Sequence, residues 1–210
     1  MKGRAVVEFL LPSIVAWWTN RQLMREYKEK DPSKVAKSWE EKLKEGGTED
    51  LQPIVDDVYD TEMQRKDALE SKATSLFEGI GFAVSILSIA IVFIGQRLIF
   101  VLLLFPVFHF LIAGICSWNA TRVAKYHFFT TSQDLENDLA LTAGKPLEER
   151  RRYWIAQKLA STEMNSKLLL VKSNWLSAAY QHFVLGLLFI IPILAAMVYE
   201  IAQGLMYTDC

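Results

Sequence analysis

The sequence predicts an all-α membrane protein with three transmembrane helices, the first two forming a hairpin, and long cytosolic helical extensions. Three observations lead there. Hydrophobic residues make up 51% of the chain and charged residues 22%, so the apolar residues must be concentrated rather than spread. They are: no charged residue occurs from Gly79 to Gln96, from Leu98 to Thr121 or from Leu176 to Tyr199. Each run meets or nearly meets the roughly 20 residues needed to cross about 30 Å of hydrocarbon. Finally, the 23 Lys and Arg residues are one-sided, with 13 in residues 1–78, 9 in 119–181, one (Arg97) between the first two runs and none after 199. Lys and Arg accumulate in cytoplasmic segments. Three spans with the N-terminus in the cytoplasm put 22 of the 23 on that side, in the inner (plasma) membrane.

The elements follow in order. Residues 1–78 are expected to form a cytosolic and interfacial helical region. In Ala5–Thr19 the apolar residues Val7, Leu10, Leu11, Ile14 and Trp18 recur at helical spacing, but Glu8 and Pro12 interrupt the run and it is too short to span. The pair Trp17 and Trp18 suits the headgroup level, where indole rings anchor. This segment is therefore expected to lie in the interface, with a core helix and a re-entrant or fourth spanning segment as alternatives. No small-residue cleavage site follows it, so no secretory signal is expected. Asp31-Pro32-Ser33 reads as a helix start and Gly46-Gly47 as a stop. From Leu51 the helical pattern resumes and continues past Asp67, Lys72 and Leu76 into the first apolar run.

A helix can pass from water into lipid because its backbone hydrogen bonds are internal, so only its side chains must change. Residues 79–121 form the expected hairpin, with Gly95-Gln96-Arg97 as its outer turn. Gly79, Gly81, Ser85 and Ser88 give the first span a face of small residues that lets a neighbouring helix approach closely. The second span carries Pro106 and His109. Residues 122–175 form a second cytosolic helical region, broken at Gly144-Lys145-Pro146. Its second half is expected to run directly into the third span, 176–199, followed by a short outer tail, 200–210.

Candidate chemistry is sparse. Asp56-Asp57-Val58-Tyr59-Asp60 matches the D-D-x-x-D string with which isoprenoid enzymes hold magnesium, an ion that takes oxygen ligands. A second cluster is required, and Asp134, Glu136 and Asp138 have the wrong spacing; acidic residues on a solvated helix account for the string. Arg122 and His127 have the R-x4-H spacing of HEPN-type RNases, in which an Arg and a general-base His converge on a phosphate. They stand directly after a span, where basic residues mark the cytoplasmic boundary. His109 is the ionisable group well inside a span, a functional candidate by default; a pore- or interface-facing role and a packed neutral imidazole are the two readings. No nucleotide-binding glycine loop, metalloprotease string or paired C-x-x-C occurs. The expectation is a non-enzyme with no cofactor, metal or catalytic residue. A net charge of −1 gives no reason to expect direct nucleic-acid binding. Cys116 and Cys210 form no disulfide framework, and Cys210 lacks a prenylation motif.

The stretch RKDALESKATSLFEGIGFAVSIL, Arg65 to Leu87, resembles the approach to the first span in small prokaryotic conflict-system membrane effectors. These are the two- to four-span proteins found beside second-messenger, SLATT-type and CRISPR accessory loci. The shared features are the mixed acidic, apolar and charged approach, the Lys72-Ala73-Thr74-Ser75 step, and the Gly/Ser-rich start of a tight hairpin. The likeness extends from Arg65 through the second span; the third span and the long N-terminal region depart from the simplest two-span effectors. It implies an anti-phage defence effector that forms a homo-oligomer in the inner membrane and permeabilises or otherwise impairs it. Its partners would be the lipid bilayer, further copies of the chain, and a cytosolic defence protein or a nucleotide second messenger. The alternative is a membrane-anchored structural or signalling adaptor whose cytosolic helices recruit a partner.

Overall fold

The computed structural model describes residues 11–45, 48, 50–92, 97–122 and 142–208. These form five α-helices with no strand among them: α1 (Pro12–Glu29), α2 (Pro32–Lys42), α3 (Leu51–Val92), α4 (Arg97–Arg122) and α5 (Leu147–Thr208). A 3-10 turn, Leu43–Glu45, follows α2. The all-α expectation holds for the described residues.

The span count needs correction. Among the described residues two helices, not three, are long and apolar enough to cross a membrane, within Leu102–Arg122 of α4 and Leu147–Ala195 of α5. The run expected as the first span begins in α3. Its described side chains, Gly79 to Ser88, are too few to cross a bilayer, and residues 93–96 lie outside the described set. The hairpin turn at Gly95-Gln96 falls there as well.

Two of the expected junctions are continuous helix. The 42 residues of α3 pass from the charged Leu51–Glu78 stretch into the Gly79 run without interruption. The 62 residues of α5 do the same from Leu147 through Tyr199. Neither junction contains a Pro, and α3 runs unbroken through Gly79 and Gly81, so the internal hydrogen-bond ladder is kept.

By contacts, the chain divides into two compact units. The apolar unit comprises the described residues within Met1–Trp18, Glu70–Arg122 and Ser173–Cys210. Along α3 it buries Ala73, Leu76, Ile80, Ala83 and Leu87, a spacing of three and four that defines one helix face. Helix α4 contributes Leu103, Phe110, Ala113, Cys116 and Ala120, and α5 contributes Leu176, Ala178, Ala179 and Ile193. Alanines at the contacts let the helix backbones approach closely. Ser117 Oγ uses that proximity to donate to the Ala73 carbonyl at 2.7 Å. Phe105 stacks on Phe189 at 5.6 Å between ring centres, and Phe110 lies 5.7 Å from Phe183. The rising α4 numbers pair with falling α5 numbers in the sequence Phe105–Phe189, Phe110–Phe183, so these two helices run antiparallel.

The charged unit comprises the described residues within Thr19–Leu69 and Val123–Lys172. Asp31 caps α2: its carboxylate accepts from the Ser33 amide at 3.0 Å, and Pro32 occupies the first turn, where its missing N–H costs nothing. These hydrogen bonds from the Ser33 side chain and amide hold the Asp31 carboxyl below its ordinary pKa. One cluster of its core is Leu43, Val55, Ile155 and Ala156, with Trp39, Leu51 and Leu159 packed against it, and Met164, Leu168 and Val171 are buried in the same unit. Around it runs a frame of polar contacts. Lys158 pairs with Asp56 at 2.6 Å, Lys167 with Glu26 at 2.7 Å, and Thr48 donates to Glu148 at 2.7 Å. Glu163 accepts from both Lys30 and the Trp39 indole, and the Lys30 contact chiefly holds its carboxyl below the ordinary value. The Asn20 side chain donates to the Val171 carbonyl at 3.2 Å. Ahead of α5, Gly144 takes a φ of +83°, a left-handed turn residue that glycine adopts without steric cost.

Candidate functional site

The expected packing and anchor residues separate by helical phase. The buried face of α3 falls on Ala73, Leu76, Ile80, Ala83 and Leu87, so Gly79 sits at its margin. A Cβ placed there would lie 3.8 Å from the Phe183 ring, an ordinary contact. Gly81, Ser85 and Ser88 are exposed, and a Cβ at Gly81 would meet nothing within 4 Å. The two hydroxyls donate back along their own helix, Ser85 to the Gly81 carbonyl at 2.8 Å and Ser88 to the Val84 carbonyl at 2.9 Å. This small-residue face is thus polar-satisfied, which suits an apolar surrounding, and is left uncovered by the described chain. Trp17 and Trp18 are 51% and 58% exposed while Ala16 beside them is buried.

The acidic string does other work. Asp56 is held by Lys158, and Asp57 and Asp60 are exposed. Arg122 lies 6.0 Å from the Trp118 ring centre, a boundary-like stacking of cation on indole. His127, Asp134, Glu136, Asp138 and Cys210 lie outside the described residues. In the charged unit a cleft of about 220 Å³ is lined by Ser33, Lys37, Glu40, Tyr153 and Gln157 among others.

His109 has partners that sequence reasoning missed. Its Nδ1 lies 3.0 Å from Nδ1 of His182, and His182 Nε2 lies 3.2 Å from the Ser13 hydroxyl. Three helices therefore meet at one polar chain: α4 supplies His109, α5 His182 and α1 Ser13. The rings are 5.3 Å apart, and Phe189 stacks on His109 at 5.4 Å, so aromatic packing fixes the imidazole plane. His182 is 2% exposed; His109 and Ser13 are half-buried. Neither imidazole can be an acceptor or a donor at both nitrogens while neutral, so each hydrogen bond dictates the tautomer of the next. The one available signal was that both histidines sit in uncharged runs, where an ionisable side chain normally faces a partner.

A second missed feature is Gly186 on α5. A Cβ there would fall 2.7 Å from the Phe110 ring, which is itself fully buried. The glycine is a point of close helix approach.

No family model, curated protein or solved structure matches the chain. The resemblance to conflict-system effectors rests on the sequence of Arg65–Leu87 and of the apolar runs that follow.

Proposed function

We propose that this chain is an integral membrane effector that assembles into a homo-oligomer and perturbs the bilayer, as in a prokaryotic defence system. The observation that carries the reading is the outer surface of the apolar unit. Only 33% of the apolar window in α4 and 28% of that in α5 is buried within the chain. Phe82, Phe108, Leu111, Ile191 and Val198 are all more than half exposed. Water would penalise such a surface by about 25 cal/mol for every Å², whereas lipid or further copies of the chain would not. The Gly81, Ser85 and Ser88 face favours the second of these for part of it, since small residues gain packing contact when a second helix lies on them. In this reading α3, α4 and α5 supply three spans of the inner membrane, the N-terminus is cytoplasmic, and the charged unit receives the trigger, a cytosolic defence protein or a nucleotide second messenger.

The adaptor alternative draws on the cleft in the charged unit, whose Lys37, Glu40 and Tyr153 could hold a partner while the spans only anchor. One experiment separates the two. Expression in bacteria should depolarise the membrane, and crosslinking in membranes should trap oligomers. Gly81→Leu and Ser85→Leu should still insert but lose both effects. Inserted parent protein that stays monomeric at every concentration and leaves the membrane potential intact would overturn the effector reading in favour of the adaptor.

A further inference from the structure

The effector reading leaves open what crosses the membrane, and the His109–His182–Ser13 chain bears on that. It has three properties that packing alone does not require. Its groups are joined end to end by hydrogen bonds of 3.0 and 3.2 Å. The middle group is buried while both ends are half-buried, so a proton passing between the two ends must go by way of His182. And each member can both give and accept a proton. We propose that these residues form a proton-transfer chain, and that the membrane perturbation this protein causes is a proton leak. This inference rests on the effector reading above.

The step balances as one proton in and one out. In the starting arrangement His109 Nδ1–H donates to His182 Nδ1, His182 Nε2–H donates to Ser13 Oγ, and His109 Nε2 holds a free lone pair. A proton taken up at His109 Nε2 makes an imidazolium. Its Nδ1 proton moves to His182 Nδ1, and the positive charge moves with it. His182 then gives its Nε2 proton to Ser13 Oγ as the hydroxyl releases its own proton to water beyond. No net charge remains. Every hydrogen bond is now reversed, with His182 Nδ1–H donating to His109 Nδ1 and Ser13 O–H donating to His182 Nε2. The first arrangement returns by tautomer exchange with water, His109 losing its Nε2 proton and regaining one at Nδ1 while His182 loses its Nδ1 proton and regains one at Nε2. Two protons are never held together, because two positive charges 3.0 Å apart in an apolar interior repel strongly.

No fixed charge competes along the packed helices. Between Glu78 and Val92 on α3, Arg97 and Arg122 on α4, and Lys172 and Glu200 on α5, no Asp, Glu, Lys or Arg occurs. On the described part of α1 the first is Arg21. Cys116 on α4 and Tyr180 and Tyr199 on α5 are the other titratable groups in these stretches. The histidines are thus the groups equipped to carry a proton here near neutral pH.

The test uses full-length protein in phosphatidylethanolamine/phosphatidylglycerol vesicles containing a pH-reporting dye, with potassium and valinomycin to balance charge. The parent should collapse an imposed pH gradient while a co-trapped larger dye stays inside. His182→Gln keeps hydrogen-bonding capacity but cannot pass a proton through its ring. It should insert normally and slow the collapse by about a hundredfold, the low end of what a positioned proton-transfer group contributes. Ser13→Ala, which leaves the histidine pair untouched, should slow it less. Parent vesicles that hold the gradient as well as empty ones would overturn the proton chain. So would equal collapse by the parent and by inserted His182→Gln. Leakage of the larger dye from parent and variant alike would also overturn it, yet would support a membrane-permeabilising effector, so the two readings fail separately.

Discussion

Replacing Gly186 by alanine is expected to loosen the apolar unit by about 1–3 kcal/mol, the usual cost of forcing an extra carbon into a filled core. The added Cβ would fall 2.7 Å from the Phe110 ring, below any ordinary carbon contact. Phe110 has no exposed surface, so its ring cannot retreat without moving its neighbours. The same geometry predicts a rescue. Phe110→Leu removes the ring edge that the new carbon would strike, so the double variant should lose less stability than the two single losses combined. A favourable coupling of that kind is the signature of residues in direct contact. Unfolding in mild detergent, followed for the parent, both single variants and the pair, measures it. A neutral Gly186→Ala, or strict additivity in the cycle, would contradict the packing described.

A large loss in the charged unit is expected from Ile155→Ala. Ile155 is 2% exposed and sits with Leu43, Val55 and Ala156 at the centre of a small cluster. Truncating a buried isoleucine typically costs about 2–5 kcal/mol, part of it the cavity left behind. Among the described residues Trp39, Leu51 and Leu159 pack around those four. Helix α2 leans on this core through Trp39, so hydrogen exchange across Pro32–Lys42 should accelerate sharply. The surrounding ion pairs cannot compensate, because partly exposed pairs such as Lys158–Asp56 contribute little each. Unchanged protection of α2 in the variant would show that the cluster is not what secures it.

Much of this architecture is legible in the residues. The long helices α3 and α5 follow from apolar and charged patterns that change character without a Pro at the change. The start of α2 is written in Asp31-Pro32-Ser33, and the turn ahead of α5 in Gly144-Lys145-Pro146. What periodicity cannot supply is the register between helices distant in the chain. Gly79 and Gly81 look alike in the sequence, yet the phase set by Ala73, Leu76, Ile80 and Ala83 puts one beside Phe183 and leaves the other open. Gly186 lies in a run of leucines and phenylalanines, where nothing local marks it as a contact point. His182 and Ser13 are 169 positions apart, and their meeting depends on how α1 and α5 slide past one another. His109 and His182 could each be singled out because they stand in uncharged runs, but their pairing with one another and with Ser13 could not.

The three-span arrangement with a cytoplasmic N-terminus is a proposal that goes beyond the two spans found in α4 and α5, and the two cysteines report on it. Cys116 is 1% exposed within α4, and Cys210 follows the last apolar run. An impermeant maleimide applied to intact cells should label Cys210 and spare Cys116, with a Cys210→Ser variant losing the signal. Labelling of Cys210 only after lysis would contradict the arrangement: with the N-terminus in the cytoplasm it leaves an even number of spans, either those of α4 and α5 alone or four with Ala5–Thr19 as the additional one.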